Sequence, residues 1–278
     1  SGVYKKEVLE DDLERIKNFY KQAGYLDVKP AYELIFQEKA RRKWIELVVR
    51  IEEGRKYVTG NIKVAGNIVF SEEELKALLK MKPGSTFTEE GLHADVGGVQ
   101  EHYFDKGYIM ARVRPDTLLN METDRVDITY TFTEGEVAYV NKINVRGNTK
   151  TKDVVIRREL RIKPGERYDG AKLRRSKERL YNLGYFEDIT FDTEETDEPN
   201  KRDMVVDVKE TKTGEFSFGG GFSSIDKLIG FVEIEQKNFD ILNFPTFTGD
   251  GQDLRLRGEF GSTRKNYLLS WTEPWIFD

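Results

Sequence analysis

Cysteine is absent from this sequence. Its absence excludes disulfide staples, thiolate chemistry and cysteine-type zinc sites, and leaves the redox compartment open. Histidine is nearly absent too. His93 and His102 are nine positions apart on one predicted helix and do not share its face, so they read as structural rather than as metal ligands, and no nucleophile–base set can be assembled around them. No run of about eighteen apolar residues occurs, so no transmembrane helix is expected. Charge of one sign is not in excess either: 45 basic residues face 50 acidic ones, for a formal net charge of −5, which argues against a nucleic-acid binder. The first residues, Ser1-Gly2-Val3-Tyr4-Lys5-Lys6, lack the apolar core of a secretory signal. Both ends are expected to be cuts within a longer protein. An enzyme is the least favoured class, and neither a cofactor nor a metal is expected.

What the sequence does contain is an internal repeat, the feature that decides architecture first. Ile62-Lys63-Val64-Ala65-Gly66-Asn67 recurs as Ile143-Asn144-Val145-Arg146-Gly147-Asn148, an offset of 81 residues. Lys82-Pro83-Gly84 recurs as Lys163-Pro164-Gly165, and Glu53-Gly54 as Glu134-Gly135, at the same offset. A Gly-Tyr pair closes a helical pattern at Gly24-Tyr25, Gly107-Tyr108 and Gly184-Tyr185. Each unit reads strand, helix, helix, strand, strand. In the second, Ser71 and Glu74 form a candidate capping box before Leu75, Leu78 and Leu79. Thr88 is placed to cap a helix with Leu92, Val96, Val99 and Tyr103 on its buried stripe. Ile109 to Val113 and Arg125 to Thr133 then alternate as strands, the latter with Ile128, Tyr130 and Phe132 on one side. In the third unit Leu173, Leu180 and Leu183 mark the second helix, followed by strands Glu187 to Thr193 and Asp203 to Thr211. The first unit lacks its leading strand and helix and opens on Leu9, Leu13, Ile16 and Tyr20. The expected divisions are residues 1–56, 57–137, 138–213 and 214–278.

From Gly214 the pattern changes to long alternating segments. Phe216, Phe218 and Phe222 share a face in the first, Val232 and Ile234 oppose Glu233 and Glu235 in the second. Leu254, Leu256 and Phe260 oppose Arg255, Arg257 and Glu259 in the third, and Tyr267, Leu269 and Trp271 share a face in the fourth. Segments of about ten residues, apolar outward and polar inward, are the signature of a membrane β-barrel. Trp271, Trp275 and Phe277 suit either an ordinary core or an interfacial aromatic girdle, and their clustering at a strand end favours the girdle.

These features together resemble the BamA-like barrel-assembly family, whose POTRA (polypeptide-transport-associated) repeats run into an outer-membrane barrel. The residues carrying the resemblance are the Gly-Asn turns, the Gly-Tyr helix ends, Arg157-Arg158-Glu159-Leu160, Glu210-Thr211-Lys212-Thr213-Gly214, Gln236-Lys237-Asn238-Phe239 and Thr272-Glu273-Pro274-Trp275. It implies an α+β fold of tandem POTRA repeats followed by the first antiparallel strands of a transmembrane β-barrel. It implies outer-membrane protein assembly, with repeats in the periplasm that receive unfolded outer-membrane proteins, and with accessory assembly lipoproteins, periplasmic chaperones and outer-membrane lipid as partners. Barrel strand one, Phe216-Ser217-Phe218-Gly219-Gly220-Gly221-Phe222, would pair with a client strand. Arg157, Arg158 and Glu159 would dock an accessory lipoprotein, although Glu159 equally suits a helix charge paired with Arg158 or Arg161. Tyr267, Trp271, Trp275 and Phe277 would form the lipid-facing girdle. A two-partner-type secretion transporter and a purely periplasmic scaffold are the alternatives. Gly219-Gly220-Gly221 is not read as a phosphate loop, because no Lys-Ser/Thr and no helix follow it.

Overall fold

The computed structural model describes residues 4–39, 42–223 and 227–275. The chain separates into two compact units, one of residues 1–104 with 108–136 and one of residues 105–107 with 137–278. In the first, helix α1 (Lys6–Gln22) leads into an antiparallel hairpin, β1 (Lys29–Lys39) and β2 (Arg42–Glu52). Of the four apolar positions expected to bury α1, Leu9 is fully buried and the others only partly. The complete repeat that follows runs β3 (Val58–Ala65), α2 (Glu72–Leu78), α3 (Glu89–Asp105), β4 (Arg112–Asn120) and β5 (Arg125–Thr133). Its sheet has the order β3-β5-β4, with β3 parallel and β4 antiparallel to the central strand.

Alternation dictates which side of β5 is covered: Ile128, Tyr130 and Phe132 are all buried, against Leu75, Leu79, Val99 and Tyr103 of the helical layer. Ser71 caps α2 by accepting the Glu74 N–H at 3.2 Å, and Thr88 accepts the Gly91 N–H at 3.0 Å. Three expectations need correction. The Glu74 carboxylate is turned to His102 Nε2, 3.2 Å away, rather than back to Ser71. Leu78 is exposed, because so short a helix buries only the i, i+4 pair Leu75 and Leu79. The expected strand at Ile109 to Val113 also starts later, since Ala111 N–H closes a turn on Tyr108 O. β4 then runs on through Pro115, a residue that an edge strand tolerates because its missing N–H faces away from the ladder.

In the second unit β6 (Tyr139–Arg146), α4 (Asp153–Arg157), α5 (Gly170–Asn182), β7 (Phe186–Glu195) and β8 (Lys201–Glu210) rebuild the same repeat, with sheet order β6-β8-β7. The copies agree down to single hydrogen bonds. Thr59 N–H donates to Ser85 O and Gly84 N–H returns to Thr59 O; in the other copy Val140 N–H donates to Glu166 O and Gly165 N–H to Val140 O. The Lys-Pro-Gly loop therefore covers the start of β3 and of β6, while β4 and β7, at the opposite edges of these two sheets, have no second strand neighbour among the described residues. Buried Asp95 accepts the backbone N–H groups of Lys80 and Met81 and the Tyr130 hydroxyl. Eighty-one residues later, Ser176 accepts the Arg161 N–H.

The last strands, β9 (Gly214–Ser223), β10 (Lys227–Phe239), β11 (Gln252–Gly261) and β12 (Lys265–Thr272), form a separate antiparallel sheet in the order β12-β11-β10-β9. Three residues, Thr211 to Thr213, connect it to β8.

Candidate functional site

Opposed residues of antiparallel strands put their side chains on one face, so the register sorts the last sheet into two surfaces. Phe216, Ile234, Leu256 and Leu269 form one row across all four strands, and Phe218, Val232, Gly258 and Tyr267 the next. Every side chain larger than glycine in these rows is exposed, from Leu256 at 40% to Phe218 at 77%. On the other face Glu233 lies between Arg255 and Arg257, at 2.8 and 3.0 Å, and the Arg257 guanidinium stacks 4.4 Å over Phe231. One surface is thus apolar and bare, the other charged and internally paired.

β9 is an edge. It pairs with β10 from Gly214 to Ser223 and has no second neighbour among the described residues. Its glycines are not equivalent. A Cβ on Gly219 would stand 2.7 Å from the Phe231 ring, whereas one on Gly221 would meet nothing within 4 Å. Gly219 is therefore held open for the Phe231–Arg257 stack, and only Gly221 is free of packing. Tyr267 and Trp271 lie on the bare surface, with Trp271 Nε1–H donating to Gln252 at 3.1 Å. Trp275 sits instead under Arg158, 5.1 Å from its guanidinium carbon. Phe277 lies outside the described residues.

The segment Arg157-Arg158-Glu159 is split three ways. Arg157 is exposed and pairs with Asp153 one turn back. Arg158 lies over the Trp275 ring, with its Nε and one terminal nitrogen buried and without a hydrogen-bond partner. Glu159, 5% exposed, is sealed against Arg179 at 2.7 Å, not against Arg158 or Arg161. Only Arg157 of the three offers itself directly to solvent.

Beside this segment lies a junction that periodicity could not reveal. The Gly147-Asn148 turn takes φ +82° at Gly147, where a Cβ would lie 1.9 Å from Val208 O, and Asn148 ties its amide to Thr151 O at 3.0 Å. Glu210 at the end of β8 gathers the turn by accepting the Thr149, Lys150 and Thr151 N–H groups and the Thr149 hydroxyl at 2.7–3.2 Å. Burial opposes the Glu210 charge, but these donors outweigh it and hold its carboxyl below the usual range. In the preceding repeat Glu134 does the same for Ile68 and Val69, with the Tyr103 hydroxyl donating to it at 2.6 Å. The turn then receives the last sheet. Asn238, at φ +55° and buried, donates to Thr151 Oγ1 and accepts the Gly251 N–H, both at 2.9 Å. Lys152 bridges Asp240 and Asp250 at 2.9 Å each, and hydrogen bonds to both carboxylates raise its pKa despite burial. Tyr185, from the Gly-Tyr pair, donates to Gly251 O at 3.2 Å, and burial pushes its phenol up to about 12. Asn238 was visible only as part of a motif; Lys152 and Gly251 gave no signal.

The POTRA family, described as surface antigen variable number repeat, matches residues 1–54, 57–135 and 138–211, and the chain belongs to it. More particularly it is BamA-like. It is 30% identical over 278 residues to the outer membrane protein assembly factor BamA of Neisseria meningitidis serogroup B, covering 99% of this chain and 34% of that protein. It is 30% identical to BamA of Nitratidesulfovibrio vulgaris, covering all of this chain and 34% of that one. The crystal structure of Haemophilus ducreyi BamA lacking POTRA domains 1-3 superposes with a TM-score of 0.68 at 28% identity, covering 79% of this chain and 40% of that one. The chain thus spans about a third of the length of the curated relatives it matches.

Proposed function

We propose that the chain is the membrane-proximal part of an outer-membrane protein assembly factor, with residues 1–56, 57–137 and 138–213 as periplasmic POTRA repeats and residues 214–278 as the opening strands of a transmembrane barrel. The observation that carries this is the bare surface of the last sheet: aligned Phe, Ile, Leu, Tyr and Trp side chains on four strands, opposite a charged surface with its own ion pairs. Monomeric soluble proteins rarely leave so continuous an apolar patch uncovered. In hydrocarbon the same patch is at home, and the charged side becomes a lumen.

On this reading β9 is the strand that pairs with clients. An unpaired backbone edge costs several kcal/mol per group in hydrocarbon, so the free side of Phe216 to Phe222 recruits an incoming strand. The open edges of β4 and β7 do the same in water by β-augmentation, which accepts many sequences because main chain does the binding. Unfolded outer-membrane proteins, handed on by periplasmic chaperones, are the clients. An accessory lipoprotein docks on Arg157, and Glu159 contributes by positioning Arg179. Trp271, at the end of β12 nearest the third repeat, belongs to an aromatic girdle at the periplasmic boundary, and Tyr267, two rows further along the same face, meets the hydrocarbon. The test is detergent dependence: residues 1–278 should require detergent or vesicles to stay monodisperse, while residues 1–212 should not. Equal solubility of the two in plain buffer would point to a periplasmic scaffold whose final sheet is covered by protein.

A further inference from the structure

The connection between β10 and β11 departs from the charged character of the rest of the chain. One residue in three is charged overall, 34%, yet none occurs between Asp240 and Asp250. Ile241, Leu242 and Phe244 are 61%, 85% and 79% exposed. Such a tip is not a floppy excursion. Asp240 N–H donates to Phe247 O, Asn243 N–H to Asp240 O and Phe247 N–H to Asn243 O, and the Asn243 amide holds Thr248 O at 2.6 Å. Its base is bolted to the third repeat by Lys152, whose N–H donates to Gly249 O at 2.8 Å and whose ammonium bridges Asp240 and Asp250. Charge is spent at the base and withheld from the tip.

The register says which way the tip belongs. Phe239 pairs with Gln252, two residues before Leu254 and four before Leu256, so all four fall on the same side of the sheet, with Phe239 and Gln252 themselves covered at its end. Phe239 stacks on Phe247 with ring centroids 6.2 Å apart, and Phe247 meets Phe244 edge-on at 5.6 Å. The aromatic ladder therefore continues the apolar surface of the sheet past the end of its strands, on the side of the third repeat.

We infer that this tip is a membrane-surface anchor: Ile241, Leu242 and Phe244 enter the headgroup–acyl boundary of the leaflet nearest the repeats. A short uncharged, aromatic-bearing segment continuous with a lipid-facing wall meets the chemistry of that boundary. A rigidly hydrogen-bonded loop enters it without the ordering cost of a mobile one. The occupant is lipid rather than a second chain because the tip extends the face already assigned to hydrocarbon. The inference rests on the barrel reading, and its test separates the two.

In the full-length parent, made cysteine-free and reconstituted in phosphatidylcholine vesicles, an environment-sensitive fluorophore is placed on Leu242→Cys or Phe244→Cys. Tyr267→Cys reports the sheet face, and Asp197→Cys, in the exposed acidic loop of the third repeat, reports water. Lipids brominated near the carbonyl end of their chains should quench the tip probes by roughly twofold, as expected for a group buried about 5–10 Å into the boundary, and leave Asp197→Cys bright. Quenching at Tyr267→Cys with none at the tip overturns the anchor and leaves the barrel standing. Quenching at neither overturns both. Tip probes shielded from aqueous iodide but untouched by brominated lipid would mean that protein covers the loop, which also overturns the anchor.

Discussion

A glycine and a glutamate decide the local form of each Gly-Asn turn. Gly147 and Gly165 both have positive φ, +82° and +85°, but only Gly147 faces a backbone oxygen, while Gly165 faces open space. Gly165→Ala should then cost about 1–2 kcal/mol for the left-handed conformation alone. Gly147→Ala adds an overpacking cost of about 1–3 kcal/mol, so its urea midpoint should fall distinctly further. Glu210 supplies the other half. Its folded pKa lies below the ordinary 4.5, so it contributes stability above that pH, and the contribution is lost as pH falls through the depressed folded value. Glu210→Gln should lower the melting temperature at pH 7 and flatten its decline between about pH 5 and 3. An unchanged acid slope would mean that another carboxylate governs it. The glycines of these turns were legible because they recur at a fixed offset. Glu210 was not: it recurs 76 residues after Glu134 rather than 81, since the loops between strands differ in length, and only the fold returns it to the turn. Asp95 and Ser176 keep the offset of 81, and a polar residue recurring inside an apolar stripe was the signal that could have disclosed them.

Strands were the most legible elements, because a two-residue period with one bare face leaves little freedom of register. β5, β11 and β12 fall where alternation puts them. β4 does not, since the turn at Tyr108–Ala111 consumes the residues that alternate. Helices α2 and α3 were readable from their caps, Ser71 and Thr88, yet the fate of Glu159 was not, because its partner Arg179 comes from α5, twenty residues away. For β9, triple glycine implies weak pairing through backbone entropy, but Phe231 against Gly219 shows that only part of the run is slack. Gly221→Val, which meets nothing within 4 Å, should stiffen the edge without disturbing its neighbours. In the full-length parent we expect client insertion into vesicles to slow by about two- to fivefold, corresponding to roughly 0.4–1 kcal/mol of added strand preference. Gly219→Val would be uninformative, because displacing the Phe231 ring would change the sheet itself.

At the scale of the whole molecule, two kinds of surface share one polypeptide. The second and third repeats bury their central strands under their own helices, the hairpin of the first leaves Phe36, Ile45 and Leu47 exposed, and the last sheet buries almost none of its bare face. The predicted contrast between residues 1–278 and 1–212 in plain buffer follows from that division. Size-exclusion chromatography should find the shorter chain monomeric and the longer one aggregated until detergent is added. The repeat architecture and the apolar sheet were both evident from periodicity. The junction around Asn238, Lys152 and Asp240 was not, since a loop held by buried polar groups leaves no periodic trace.

Thr211 to Thr213 join the third repeat to β9, and both ends of this tether are fastened, Thr211 N–H to Tyr185 O and Lys237 N–H to Thr213 O. Three residues reach at most about 10 Å when fully drawn out, and stepping a strand aside by one position takes about 4.8 Å. A single such step is about half of the tether's full reach. Peeling β9 from β10 would therefore draw on this tether and pull on the end of β8, so that the edge strand and the third repeat are linked through three residues.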